Sequence, residues 1–313
     1  MKIYIMTDLE GVAGVLNGED YIKPGDIFYE RAVRLTTLET NAVVEGLFAG
    51  GAKEILVCDG HGWGAIDSEL LDARVRLISG GEYPDRRFGL EGTFDAICFV
   101  GQHAKAGTPF SHLTHTGSHL VIDRKLNGVS IGEYGEFALT ASFLGVPVFL
   151  ACGEHALCEE AKTLTPWVHV IAGKRGLMPD NLDALTDEQY RKSKQGATHI
   201  SPEESRAQLR RGAEAGMKDF SLNRERFRLL ELSSPYVLET WWRKSEAANS
   251  LPRHSVNQHP SDLIALLEQA PNFANEGGSH FKTAKNLEQA MRSMTSLPPE
   301  EKVTKKTQPH ENH

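Results

Sequence analysis

Residues 1–14 read MKIYIMTDLEGVAG. A short apolar run ends at Met6, and two carboxylates follow at Asp8 and Glu10, with Leu9 between them and Gly11 directly after. The run is rich in β-branched and aromatic residues and predicts a buried strand over 2–6. Side chains two apart on a strand share a face, so both carboxylates project together from its end. Like charges held that close repel unless positive charge lies between them.

The same unit recurs. EILVCD (54–59), AICFVG (96–101), VPVFLAC (146–152) and VHVIAG (168–173) are further buried-strand runs. Between the first two strands, YERAVRLTTLETNAVVEGLFAGG has apolar residues at helical spacing and stops at Gly50-Gly51. EYGEFALTASFLG (133–145) reads as another helix. This alternation predicts an α/β fold, a mainly parallel sheet flanked by helices. From about 175 to 200 the chain is polar and broken by Pro and Gly, an excursion with short helices. A helix then opens at Ser201 as N-cap with Pro202 behind it. FRLLEL (227–232) and YVLETWW (236–242) read as strands, and DLIALLEQA (262–270) as a helix, of a smaller α+β unit. The expected organisation is a metal-binding α/β domain over 1–195, interrupted by part of the second. The smaller α+β domain spans 196–295 and a disordered tail 296–313.

With 313 residues, 40% hydrophobic and 24% charged, the chain has enough for a large core. A net charge of -8 speaks against nucleic-acid binding, which needs clustered Lys and Arg. Asp8 and Glu10 interrupt the first apolar run before a secretory signal forms, and no stretch approaches the roughly 20 apolar residues of a membrane span. The four cysteines show no CxxC spacing and read as reduced thiols of a cytoplasmic protein.

In parallel α/β sheets, ligands gather at the carboxyl ends of strands. Here strand one ends in Asp8 and Glu10, strand two in DGHGWG with His61, and strand three in GQHAKAG with His103. Glu133 adds a carboxylate in the first turn of a helix, where the dipole favours it. Oxygen and imidazole ligands suit Zn²⁺, with Mn²⁺, Co²⁺ or Fe²⁺ as competitors. Five ligands exceed what one zinc with an open position takes, and fit two metals sharing a carboxylate and a water. Taken singly, each has a plainer use: a solvated turn for Asp8 and Glu10, a cap or packing role for His61, a core hydrogen bond for His103. Their recurrence at three strand ends decides for the metal.

FSHLTHTGSHLVI carries His112, His115 and His119. In an extended segment His115 and His119 share a face and His112 takes the other. The plainer reading is a surface strand; the functional one is a free imidazole acting as acid, base or oxyanion partner. GVSIG (128–132) matches the nucleophile elbow around Ser130, but the preceding VIDRKLN is too polar for the buried strand an elbow needs and reads as a hairpin or loop. DGHGWG lacks the Lys-Ser/Thr of a phosphate loop.

TDLEG, DGHG, GQHAKAGTP with a histidine shortly after, and NGVSIGE, in that order and spacing, resemble the DppA-type zinc D-aminopeptidases, bacterial metallopeptidases of the dipeptide-transport operon type. The resemblance runs from Met1 to about residue 220. Met6 stands where the family's opening has serine, a departure that touches no ligand. The resemblance implies a Rossmann-like α/β domain with a smaller α+β domain, a ring-like homo-oligomer, and release of N-terminal D-amino acids from short peptides. It places the metal ligands of two Zn²⁺ on Asp8, Glu10, His61, His103 and Glu133, with Asp8 as the bridge. The catalytic histidine matches His115, with His112 as rival through a one-residue shift. The segment 175–200 is longer than the family leads one to expect and bears on the substrate. The expected function is therefore a dinuclear zinc aminopeptidase. A serine hydrolase using Ser130 and a non-catalytic metal- or peptide-binding module are the alternatives.

Overall fold

The computed structural model describes residues 1–80 and 83–273. In chain order the elements are β1 (Lys2–Thr7), α1 (Tyr29–Ala49), β2 (Glu54–Asp59), β3 (Arg76–Ile78), β4 (Ala96–Gln102), β5 (Val121–Leu126), β6 (Val129–Ser130), α2 (Glu133–Phe143), β7 (Val148–Glu154), α3 (His155–Leu164), β8 (His169–Gly176), α4 (Asp187–Arg191), β9 (Ala197–His199), α5 (Pro202–Leu222), β10 (Tyr236–Trp242), β11 (Arg253–His259) and α6 (Leu263–Leu267). Seven strands form one sheet in the order β3-β2-β1-β4-β7-β8-β9, and four form a second, β11-β10-β5-β6. Every pairing in the first is parallel except β8 with β9. The second is antiparallel throughout.

The period of two along each central strand feeds two cores. Ile3 and Ile5 of β1 pack with Val43 and Leu47 of α1 and with Met217 and Phe220 of α5. Tyr4 and Met6 point the other way, toward Phe99, Tyr134 and Phe137 and the α2 and α3 layer. A strand buried on both faces must be apolar at every position, which is why the runs read from sequence were continuous. Helices α1 and α5 touch at glycine: a Cβ on Gly46 would lie 2.2 Å from the Arg210 carbonyl oxygen. The Ser201 hydroxyl accepts from Glu204 N at 3.1 Å and caps α5, as expected.

The α/β fold with a smaller antiparallel sheet is the expected one, but individual elements differ. FRLLEL is not a strand. Its Leu230 N–H donates to the Ser142 hydroxyl at 3.0 Å, so the segment binds across the end of α2 instead of pairing. VIDRKL, read as a hairpin or loop, is β5, and RHSVNQH, assigned no element from sequence, is β11. β9 belongs to the large sheet and α5 packs on it, while β5 and β6 belong to the small one. The expected tail, 296–313, lies outside the described residues, among which no helix is long and apolar enough to cross a membrane.

Candidate metal centre

Chain order reverses between β1 and β4. From β1 the chain moves outward through β2 and β3, then returns to place β4 on the other side. The loops leaving β1 and β4 part there, and such a crevice is where open α/β sheets bind ligands. Glycine brings the two loops together. A Cβ on Gly11 would lie 2.1 Å from the Gln102 carbonyl oxygen, and one on Gly101, with φ of +73°, 2.1 Å from that of Asp8.

Asp8 is held from two sides: Oδ1 accepts from Leu9 N at 2.8 Å and Oδ2 from Gln102 Nε2 at 2.9 Å. His61 sits on a tight loop closed by Asp59, whose carboxylate accepts from Ala65 N, Ile66 N and the Ser79 hydroxyl. The His61 Nε2–H donates to the Ile22 carbonyl at 2.8 Å. Its Nδ1 then faces Asp8 Oδ1 at 3.3 Å and Glu10 Oε2 at 3.1 Å. His103 repeats the design: Nδ1–H donates to the Ala104 carbonyl at 2.8 Å, and Nε2 faces Asp8 Oδ2 at 3.3 Å and Glu133 Oε1 at 3.6 Å. Glu133, in the first turn of α2, also accepts from Gly117 N at 2.7 Å.

His115 joins the same group. Its Nδ1–H donates to the Leu113 carbonyl at 3.1 Å, its Nε2 lies 3.6 Å from Glu133 Oε1, and its ring stacks on His103 at 4.2 Å. His119 stacks in turn on His115 at 4.7 Å, so these two share a face as the sequence spacing predicts. Ligand atoms of Asp8, Glu10 and His103 lie within 4.8 Å of one another, and so do those of His103, His115 and Glu133.

An imidazole that spends one N–H on a carbonyl turns a lone pair inward when neutral. Here both inward nitrogens face carboxylate oxygens. Glu10 Oε2 and His103 Nε2 are buried without any hydrogen-bond partner. Burial alone would depress the basicity of both rings. The surrounding carboxylates override it, raising His61 well above its ordinary value and His103 to about 9. Burial and the neighbouring Glu10 push Asp8 up to about 7. Cations relieve all of these contacts at once, and the donor set of carboxylate oxygens and imidazole nitrogens fits zinc or a similar divalent ion.

The rival His112 lies elsewhere. Its buried ring donates from Nε2 to the Leu16 and Gln195 carbonyls at 3.2 and 3.1 Å, and burial and Lys174 hold its pKa down to about 2. The Ser130 hydroxyl donates to Asp123 Oδ1 at 2.5 Å on the β5–β6 hairpin, with no imidazole in that bond. Sequence reasoning passed over Gln102, which steadies Asp8, and Glu154, which accepts from the Ala104 and His112 N–H groups. The strand-end rule that found Asp8 also reaches Glu154, two residues past the run 146–152.

Known proteins resemble this chain in sequence and in fold. A D-aminopeptidase of Bacillus subtilis (strain 168) is 33% identical over 188 residues, 59% of this chain and 68% of that protein. The solved Zn-dependent D-aminopeptidase DppA from Bacillus subtilis, described as a self-compartmentalizing protease, superimposes with a TM-score of 0.71. The two are 26% identical, and the match covers 85% of this chain and 94% of that one. The peptidase M55 family model, described as D-aminopeptidase, matches residues 1–256. That span takes in every residue of the cluster, and the chain belongs to the M55 D-aminopeptidase family.

Proposed function

We propose that this chain is a dinuclear zinc aminopeptidase that removes an N-terminal D-amino acid from short peptides or amides. The observation that carries the reading is the pair of inward-facing imidazole nitrogens, His61 Nδ1 and His103 Nε2, set against opposite oxygens of Asp8. Asp8, Glu10, His61, His103 and Glu133 would hold the ions, with Asp8 as the carboxylate shared between them. When bound, zinc supplies Lewis acidity, activating a water and polarising the scissile carbonyl.

The chain's own residues do the rest. His115 is kept neutral by burial and by the adjacent His103, which lower its pKa. With its Nδ1–H tied to Leu113, its Nε2 is free to take a proton from the attacking water and return it to the leaving amine. Gln102 and the Leu9 N–H fix the Asp8 carboxylate so that it does not rotate as charge develops. The homo-oligomer is proposed by likeness to the self-compartmentalizing relative, and exposed Ile27, Phe28 and Trp63 offer apolar surface for it.

The test is turnover of D-alanine p-nitroanilide beside its L enantiomer by metal-stripped protein given back measured zinc. Activity returning with zinc, and for the D substrate, supports the reading. Equal activity before and after stripping would contradict it.

A further inference from the structure

β7 ends in Glu154, whose partner in the parallel register is Lys174 on β8. Both are buried, and neither has a part in the chemistry above. Glu154 Oε1 accepts from Ala104 N at 2.9 Å and Oε2 from His112 N at 2.6 Å. Ala104 follows His103 directly, and His112 opens the stretch that leads to His115. One carboxylate therefore joins the two loops that deliver these imidazoles. Lys174 Nζ donates to the Val15 carbonyl at 3.3 Å, in the loop that follows Asp8 and Glu10. The strand ends are in contact here: a Cβ on Gly153 would lie 1.9 Å from the Gln102 carbonyl oxygen.

We propose that Glu154, with Lys174 as its counter-charge, is a positioning clamp that holds the His103 and His115 loops in register with the Asp8–Glu10 loop. This rests on the cluster being the catalytic centre. A carboxylate meets two N–H donors with two acceptor oxygens. A glutamine in its place turns an NH₂ toward one of them and frees that loop. Buried partners of this kind, one step removed from the metal ligands, are worth roughly 10–100-fold in metal affinity or activity, and small displacements of reacting groups are as costly.

The test uses the full chain with Glu154→Gln, Glu154→Asp and Lys174→Met. Amide hydrogen exchange at Ala104 and His112 is measured on metal-free protein, and kcat, KM and zinc retention on reloaded protein. In Glu154→Gln the expected result is exchange at least ~10-fold faster at those two amides, kcat lower by roughly 10–100-fold with KM held within about threefold, and faster loss of zinc to a chelator. Glu154→Asp, which keeps both acceptors, recovers part of each. Folded Glu154→Gln with wild-type exchange and kcat overturns the clamp, as does a lower melting temperature with unchanged kcat per zinc-loaded molecule. Should Glu154→Gln not fold, Lys174→Met is measured in its place: faster exchange with lower kcat supports the clamp, and wild-type values of both overturn it. If wild type turns over no D-aminoacyl anilide, the reading of the centre fails, while exchange and zinc retention still decide the clamp.

Discussion

Two buried charged clusters lie side by side at the carboxyl edge of the large sheet, and they are solved in opposite ways. Asp8 and Glu10 are 5 and 4% exposed, Glu39 and Glu154 3 and 0%, so burial does not distinguish them. Satisfaction does. Glu39 accepts from Ala13 N and the Ser205 hydroxyl, and Glu154 from two backbone N–H groups. In the other cluster Glu10 Oε2 and His103 Nε2 have no hydrogen-bond partner, and imidazole nitrogens crowd against carboxylates. Native interiors pair nearly all their buried polar groups. Two such exceptions set among facing carboxylates and imidazoles at one sheet edge mark a place where the fold accepts a cost for function. The paired carboxylates hold loops together, whereas Glu10 Oε2 and His103 Nε2 leave charge that a cation would compensate.

The largest expected effect breaks the unsatisfied cluster. His61→Ala or His103→Ala is expected to remove metal and lower kcat by roughly 10⁴-fold or more, the several kcal/mol that metal assistance supplies. Melting in zinc falls, because a ligand that binds only the folded state stabilises it. Melting in excess chelator falls by less than melting in zinc, since only the metal-bound state also loses the ion. Equal losses in zinc and in chelator would erase the distinction between the clusters.

Next comes the contrast between two histidines. His115→Ala is expected to keep metal and stability while kcat drops by roughly 10²–10⁴, the range of a general acid–base contribution. His112→Ala should instead cost about 1–3 kcal/mol by leaving the Leu16 and Gln195 carbonyls unpaired, with kcat per folded molecule retained. Metal analysis and denaturation of both variants decide the pair, and loss of metal in His115→Ala would make it a ligand.

This contrast also marks how far the sequence could be read. The meeting of Asp8, His61 and His103 was legible because a parallel sheet collects strand ends at one edge, which needs no knowledge of packing. The choice of His115 over His112 rested on a resemblance, and its physical basis is tertiary: Glu154 seizes the His112 N–H and carbonyls from residues 16 and 195 take its ring. Glu39 and Lys174 were silent for the same reason, since their partners come from distant loops. The missed strands β5 and β11 carry polar residues on both faces, which removes the continuous apolar run that betrayed β1, β2, β4, β7 and β8.

A smaller effect concerns the satisfied cluster alone. Burial pushes the Glu39 carboxyl from an ordinary 4.5 up to about 7. A carboxyl raised in the folded state contributes stability that is complete below its unfolded value and lost as pH rises through its folded value. Between pH 4.5 and 7 wild type should therefore lose about 3 kcal/mol relative to Glu39→Gln. Denaturation of metal-free protein across that window checks it, and parallel profiles would refute the assignment. Smallest of all, Ser130→Ala should leave kcat within about twofold of wild type, because its hydroxyl serves Asp123 rather than a base.

The most direct test is zinc per folded chain, measured by elemental analysis on wild type and Asp8→Ala. Two ions in wild type, and at most one in a folded Asp8→Ala that no longer hydrolyses D-alanine p-nitroanilide, is the expected result. No bound metal in active wild type, or two ions and full turnover in Asp8→Ala, would contradict it.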